Sequence, residues 1–236
     1  MQVIIFACLC IKYNNMFQQK WWKILCVVLL AITFSAGLLM EVPDKFMLRE
    51  TIRNYFFHPS LWVVMTVMFT IAVVNSVKVL RQGKPIDDIR AEQYARTGLF
   101  FGILGLATGM IWAKYTWGAF WSGDPKQTGT LIGLLIYFAY FILRNAIHED
   151  QRRAKVAAVY NIFAYAMLFP TLFIIPRMVE SLHPGSQGNP LINPSDIEHN
   201  MFLLLWCIAL PGYILLGIWI TTLSIRIKKI IEKDIL

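Results

Sequence analysis

The sequence predicts an all-α membrane protein, and its apolar content, its six long apolar runs and its uneven charge indicate this fold class. Of 236 residues, 57% are hydrophobic and 15% are charged, which is far from the composition of a soluble domain. Each run is long enough to cross about 30 Å of hydrocarbon as a helix. The runs cover about 22–40, 59–80, 97–113, 128–146, 156–176 and 200–224. We therefore predict one domain over 1–236, an integral membrane bundle of six transmembrane helices.

Lysine and arginine residues are concentrated in alternate connections between the runs. With the N-terminus placed in the cytoplasm, sixteen of them fall on inner segments and six on outer segments. The outer six are Lys45, Arg49, Arg53, Lys114, Lys126 and Arg177. Because cytoplasmic loops carry the excess of positive charge, we predict that both termini are cytoplasmic. The net charge of +8 is then a topology signal, and no nucleic-acid partner is expected.

The first outer loop, 41–57, leads to a His-Pro pair. Its second half, 46–57, mixes apolar and charged residues, which is typical of a helix lying on the membrane surface. Pro59 suits the first turn of the second span, so His58 is predicted at the mouth of that helix with its ring near the outer surface. The inner connection 86–96 is charged, which predicts a solvated connector.

Glycine and proline predict where the spans pack closely and where they bend. Glycines four residues apart recur in the third and fourth spans, which indicates that these two helices pack against each other. Such a pair would hold both ends of the short outer segment between them. Pro170 predicts a kink in the fifth span, and the pair Pro211 and Gly212 predicts a pivot in the sixth.

That outer segment, 117–128, is the stretch most typical of a binding surface. It reads Trp-Gly-Ala-Phe-Trp-Ser-Gly-Asp-Pro-Lys-Gln-Thr, so flat apolar rings lie beside glycines that a planar ligand can approach closely. Asp124 is the predicted N-cap of the fourth span and Pro125 its first helical residue. We call 117–128 the tryptophan-rich segment.

Three of the four histidines fall on the same predicted side as the tryptophan-rich segment: His58, His183 and His199. Imidazole is a common iron ligand, and two imidazoles from different loops can bind the two faces of a flat macrocycle. The residues alone leave a second interpretation open. In it, the aromatic rings belong to the belt of the membrane interface and the histidines are ordinary loop residues.

The spacing Trp117-Gly118-x-x-Trp121-x-x-Asp124-x-Lys126 resembles the “WWD” signature of haem-handling proteins of cytochrome c biogenesis. The six spans, with one histidine before the second and another between the fifth and sixth, are similar to the CcmC family of the system I maturation pathway. Phe120 and Gly123 stand where that family usually has tryptophan. The resemblance implies a haem platform that has lost some indole area.

The resemblance also implies roles for residues. Non-covalent haem b would rest on a platform made of Trp117, Gly118, Phe120, Trp121, Asp124 and Lys126. His58 and His183 would be the axial iron ligands, with His199 as a competitor that matches less well. Lys126, Arg177 or Arg53 could pair with the haem propionates, as sidedness and charge allow.

The function implied by the resemblance is haem transfer without covalent catalysis. The implied location is the bacterial inner membrane, with haem on the periplasmic side. The implied partners are a membrane-anchored haem chaperone, ABC-transporter components and a small accessory subunit. The main alternative is a system II haem-delivery and synthase subunit, because the sequence Asp124-Pro125-Lys126 is closer to that family. A cytochrome b would need histidines within its spans, and no predicted span of this chain has a central histidine. A secondary transporter would be expected to carry an acidic residue deep in a span, and the predicted spans lack one.

Overall fold

The computed structural model describes residues 20–43, 49–183 and 198–234, and every regular element in these ranges is helical. The α-helices are α1 (Trp21–Leu39), α2 (His58–Gln82), α3 (Pro85–Trp117), α4 (Pro125–Asn145), α5 (Asp150–Leu168), α6 (Ile175–Met178), α7 (His199–Leu204) and α8 (Leu210–Asp234). A 3₁₀ helix, Arg49–Phe56, precedes α2. π-Helical turns join α5 to α6 (Phe169–Ile174) and α7 to α8 (Leu205–Ala209). The predicted all-α fold class is confirmed.

Six helical stretches in the described residues are long and apolar enough to cross a membrane, as predicted. The fifth is Asp150–Met178 and the sixth is His199–Ile231, and each runs through one of the π-helical turns. Successive spans alternate in direction, so the start of α2, the end of α3 and the start of α4 meet at one end of the bundle. We call this the His58 end. The cytoplasmic location of both termini stays a prediction.

The connection 86–96 was predicted to be a solvated connector, and this prediction is wrong. The stretch forms the first turns of α3, a helix of 33 residues. At about 1.5 Å per residue this helix is longer than the hydrocarbon layer is thick, so its charged first turns can lie beyond that layer. Asp87 and Glu92 are nevertheless buried, because other helices pack over them.

Buried ion pairs join three helices at the end opposite His58. The guanidinium of Arg144, at the end of α4, donates two hydrogen bonds of 2.7 and 2.6 Å to the Asp88 carboxylate in α3. It also lies 3.3 Å from a Glu92 oxygen, and Lys228 of α8 lies 3.7 Å from the same oxygen. Arg96 pairs with Glu92 at 2.8 Å. Separating the members of these pairs would leave a buried charge without its partner, which is strongly unfavourable. The pairs therefore favour one relative position of α3, α4 and α8.

The third and fourth spans contact each other as predicted, but the glycines of α3 pack mainly against α2. A Cβ added at Gly98 would meet the Phe69 ring at 2.6 Å, and one at Gly105 would meet the Trp62 ring at 2.9 Å. Gly102 alone also faces α4, through Leu134. The glycines of α4 face the fifth span instead, where Gly129 lies against a backbone carbonyl. The glycine spacing correctly indicated close packing, but it did not identify the partner helix.

Both prolines lie in or directly after a π-helical turn of their span. Pro170 lies in the π-helical turn of the fifth span, and Pro211 lies within the first turn of α8, which then continues without a break. Gly212 allows close approach to α1, because an added Cβ would lie 3.1 Å from Leu29. The sixth span therefore shows a packing contact at the site of the predicted pivot.

The 3₁₀ helix packs into the bundle instead of lying on its surface as a membrane-surface helix would. Ile52, Tyr55 and Phe56 are buried in a cluster with Met201 and Leu205 of the sixth span. The cluster closes the His58 end beside the start of α2. It therefore fixes the position from which His58 enters the bundle.

Candidate functional site

The tryptophan-rich segment is a folded loop between α3 and α4. Gly118 ends α3 with φ +85° and Gly123 precedes α4 with φ +73°, a left-handed region that side-chain-bearing residues rarely adopt. The Gln127 amide holds the loop from within. Its oxygen accepts from the backbone N–H and the hydroxyl of Ser122, both at 3.1 Å, and its NH₂ donates to the Phe120 carbonyl at 3.2 Å. The loop is thus preformed.

The rings of this segment remain open to the surroundings. Phe120 is 52% exposed and Trp121 is 39% exposed, while Trp117 is partly buried. The Lys114 ammonium lies 5.8 Å from the centre of the Phe120 ring and donates to the Gly118 carbonyl at 2.9 Å. Large apolar rings that stay exposed on a preformed loop offer stacking faces to a flat ligand, and they would equally suit the membrane interface.

Asp124 connects the tryptophan-rich segment to the loop that carries His183. One carboxylate oxygen accepts from the backbone N–H of Lys126 at 2.9 Å, which confirms the predicted N-cap. The other oxygen accepts from the Ser181 hydroxyl and from the Leu182 N–H, both at 2.8 Å. Asp124 is 4% exposed, so these hydrogen bonds to a charged group are shielded from water.

His183 lies beside the tryptophan-rich segment. Its backbone N–H donates to the Ser181 oxygen at 3.1 Å, which continues the chain of hydrogen bonds from Asp124. Its Nδ1 is 3.2 Å from the Lys126 ammonium, and its ring meets the Trp117 ring edge to face at 6.4 Å. The structure therefore brings together three of the predicted site residues, Trp117, Lys126 and His183. Pro184 lies outside the described residues.

His58 is the first residue of α2, at the mouth of the helix as predicted, but its ring is not at the surface. It is only 7% exposed and lies edge-on between Trp62 and Trp112, with centroid distances of 5.9 and 5.8 Å. Nε2 accepts from the Trp62 indole N–H at 3.1 Å, and Nδ1 is 3.0 Å from the Thr108 hydroxyl. The ring turns inward because Gly109 of α3 leaves room for it, and an added Cβ would lie 2.8 Å away.

The two predicted ligands belong to the same end of the bundle. His58 contacts Thr108 and Trp112 towards the end of α3, and His183 contacts Trp117, the final residue of that helix. His199, at the start of α7, is exposed, and His148 is exposed in the connection between α4 and α5. The described residues contain no group of three or more histidine, cysteine or acidic side chains that could hold a bare metal ion.

Of the three basic residues considered for carboxylate binding, Arg53 is already engaged. It donates to the carbonyls of Gly37 and Met40, at 3.3 and 2.6 Å, and pairs with Glu50 at 2.7 Å. Arg177 donates to the Phe173 carbonyl at 2.7 Å and is exposed. The Lys126 ammonium, next to His183, is the basic group placed best for a ligand resting on the segment.

Sequence reasoning missed the side chains that hold the site in shape. Ser181, Gln127, Trp62, Trp112 and Thr108 all contact a predicted site residue or its loop. For two of these residues, the spacing from a histidine along the chain could have indicated the contact. Trp62 follows His58 by one helical turn, and Ser181 precedes His183 by two residues, a spacing at which serine often turns back on the backbone. Thr108 lies fifty residues from His58, and no local pattern indicates it.

The comparison with known families decides the assignment. The family model described as “CcmC: Heme exporter protein C” matches residues 10–235. The chain belongs to this family. The CcmC family resemblance recognised from the tryptophan-rich segment is therefore confirmed.

Several relatives of the CcmC family are similar over much of the chain. Heme exporter protein C of Haemophilus influenzae is 28% identical over 209 residues, 88% of this chain and 83% of that protein. The protein of the same name from Bradyrhizobium diazoefficiens is 32% identical over 140 residues, 59% of this chain and only 52% of that protein. Cytochrome c biogenesis protein CcsA of Gloeobacter violaceus is 34% identical over 121 residues, 50% of this chain and 35% of that protein.

Proposed function

We propose that this chain binds haem at the outer face of a membrane and transfers it during cytochrome c biogenesis, without catalysing covalent chemistry itself. Haem b would be held non-covalently, with His58 and His183 as axial ligands and the rings of the tryptophan-rich segment as stacking faces. The names of the relatives, Heme exporter protein C and cytochrome c biogenesis protein, support haem handling in this pathway.

The observation that carries the proposal is the hydrogen bonding of Asp124. Its carboxylate caps the helix that follows the tryptophan-rich segment and also holds the loop of His183. A single buried side chain thus keeps the stacking rings and one imidazole together. The second imidazole, His58, belongs to the same end of the bundle. Aromatic faces beside two imidazoles from separate elements suit the two faces and the iron of a haem.

The geometry fits haem on one condition. Iron at His58 would need the Nε2 lone pair, which accepts the Trp62 N–H in this structure. The His58 ring is therefore held in one orientation, but its Nε2 would have to give up the hydrogen bond from Trp62 to bind iron. When bound, haem would supply the iron that the two imidazoles coordinate, while this chain would orient those imidazoles and offer the rings against which the macrocycle rests.

The proposed setting follows from the same assignment. The site would face the periplasm of a bacterial inner membrane, and haem would pass to a membrane-anchored chaperone with ABC-transporter components and a small accessory subunit. The alternative, a system II haem-delivery and synthase subunit, is less well supported. The CcmC family model covers nearly the whole chain, whereas the match to the CcsA relative covers 35% of that protein.

The direct test is the absorption spectrum of detergent-purified protein produced with haem supplied. We expect the bands of six-coordinate, bis-imidazole iron. Purification as a colourless apoprotein under these conditions, from cells whose membranes contain haem, would contradict the proposal. A five-coordinate haem spectrum would support haem binding but would contradict the proposal that two histidines bind the iron.

Membrane orientation can be tested by cysteine labelling in a background with the native cysteines replaced by serine. Ser122→Cys should react with an impermeant reagent added from outside, because the tryptophan-rich segment is proposed to be outside. Gln151→Cys, in the connection before α5, should react only after the membrane is opened. Both positions are exposed, so accessibility within the fold is matched. The opposite labelling pattern would put the segment in the cytoplasm.

Trp121→Ala should lower haem occupancy by about five-fold, because one stacking ring contributes about 0.5–1.5 kcal/mol. The amount of protein in the membrane should not change, since this ring is 39% exposed and supports no other part of the fold. Haem occupancy and membrane abundance can be measured on the same preparation. Tyr115→Ala, at an exposed aromatic outside the segment, is the matched control. Equal effects of both changes on haem would favour a plain interfacial belt.

A further inference from the structure

The hydrogen bonds of His58 define which ring nitrogen carries its proton. The Trp62 indole N–H can only donate, which places a lone pair on Nε2. A neutral imidazole with that lone pair carries its hydrogen on Nδ1, and the Thr108 oxygen, 3.0 Å away, can accept it. The Thr108 hydroxyl has the Leu104 and Gly105 carbonyls, at 2.9 and 3.0 Å, as acceptors for its own hydrogen. These contacts favour the neutral Nδ1–H tautomer.

Close packing restricts the orientation of the His58 ring. His58 and Trp62 lie one helical turn apart on α2, and both rings rest on bare backbone of α3, where Gly109 and Gly105 have no side chain. Trp112 contacts the imidazole from a further side, but its indole N–H donates to Thr51 at 3.2 Å. Trp62 is therefore the tryptophan whose N–H is directed at the imidazole.

We propose that Thr108 and Trp62 are positioning residues that set the state of His58 for iron. Thr108 accepts the Nδ1 hydrogen and so keeps the Nε2 lone pair available. Trp62 donates to that same lone pair. One lone pair cannot hold both an indole hydrogen and iron, so the Trp62 hydrogen bond and iron coordination through Nε2 would exclude each other. This inference rests on the proposed function.

The two contacts therefore have opposite effects on haem. A hydrogen-bonded Nδ1–H makes an imidazole a stronger ligand, so Thr108 favours the bound state. The Trp62 bond stabilises the empty state, so it lowers affinity and assists release. A protein that must give up its haem benefits from such a competitor, because release leaves no unpaired buried nitrogen.

The tautomer can be read without haem. Nitrogen-15 NMR of the full chain in detergent, labelled at its four histidines, should show His58 as the neutral Nδ1–H form, assigned by its loss in His58→Ala. Thr108→Val keeps the shape and removes the acceptor, and it should give a mixture of tautomers. Thr108→Ser should restore the single form. A parent His58 with its proton on Nε2 would overturn the proposal.

Haem titration tests the opposite effects. Trp62→Phe should tighten haem binding by about five-fold, the value of one net hydrogen bond. Thr108→Val should weaken it by about ten-fold or more, as for other outer-shell partners of a ligating histidine. The matched control is Thr116→Val, whose hydroxyl donates to the Trp112 carbonyl of its own helix, and it should behave like the parent.

The outcomes separate the two proposals. If the parent binds haem and Trp62→Phe binds it no more tightly, the role of Trp62 is wrong while the proposed function stands. If the parent chain itself binds no haem, the proposed function falls and this inference falls with it.

Discussion

Alanine at His58 or at His183 is expected to convert six-coordinate haem into a five-coordinate form or to remove the haem. Each substitution deletes one of the two proposed iron–nitrogen bonds. Loss of a hydrogen-bond partner of a ligating histidine typically costs 10–100-fold in metal affinity, and loss of the ligand itself should cost at least as much. We therefore expect haem occupancy to fall by about ten-fold or more in each variant, measured by absorption spectroscopy on equal amounts of protein.

The two variants should differ in stability although they share this spectral effect. His58 is 7% exposed and packed between two tryptophans, so His58→Ala leaves a cavity and an unpaired Trp62 N–H. His183 is only partly buried, so His183→Ala should unfold at nearly the parent temperature. Added imidazole should enter the vacated position and restore six-coordinate bands in part, which also shows that the variant is folded.

His199→Ala is the matched control for both changes. His199 belongs to the same end of the bundle but is exposed, and the parent spectrum should persist in this variant. A changed spectrum in His199→Ala together with a parent spectrum in His183→Ala would reassign the second ligand to His199. Haem binding itself would survive that result.

Asp124→Ala is expected to detach the His183 loop from the tryptophan-rich segment and to lower haem affinity strongly. The change removes a helix cap, worth about 0.5–2 kcal/mol, and two further hydrogen bonds to a charged group, each worth about 1.5–3 kcal/mol. The effect is local, because the ion pairs at the opposite end of the bundle are untouched. Hydrogen exchange at 178–183 should rise, and haem occupancy should fall by about ten-fold or more.

Two milder variants define the contribution of each oxygen. Asp124→Asn retains one carbonyl oxygen, which can still cap α4, so its effect should lie between those of the parent and Asp124→Ala. Ser181→Ala removes only the hydroxyl that joins Asp124 to the backbone of His183, and it should increase exchange in the loop without affecting the cap. Asp150→Ala, at an exposed acidic residue starting α5, should change neither measurement. Unchanged haem affinity in Asp124→Ala would contradict the positioning role.

Much of the architecture could be predicted because it depends on properties of short stretches. The number of spans follows from apolar length compared with membrane thickness, and the Asp124 cap follows from a carboxylate placed just before Pro125. The prediction for 86–96 was wrong because its charged residues were taken to indicate exposure to solvent. Glu92 and Arg144 are instead buried against each other, which a pattern of single residues cannot reveal.

The sequence by itself determined six helices long and apolar enough to cross a membrane and the Asp124 cap at the tryptophan-rich segment, since each depends on neighbours along the chain. The tertiary structure alone decided which helix receives the glycine face of α3, that Asp124 also holds the Leu182 backbone, and that Thr108 orients His58. The contacts of Asp124 and Thr108 join residues fifty or more positions apart. They arise when whole helices pack, because only then do one helix's open backbone and another's polar atoms meet.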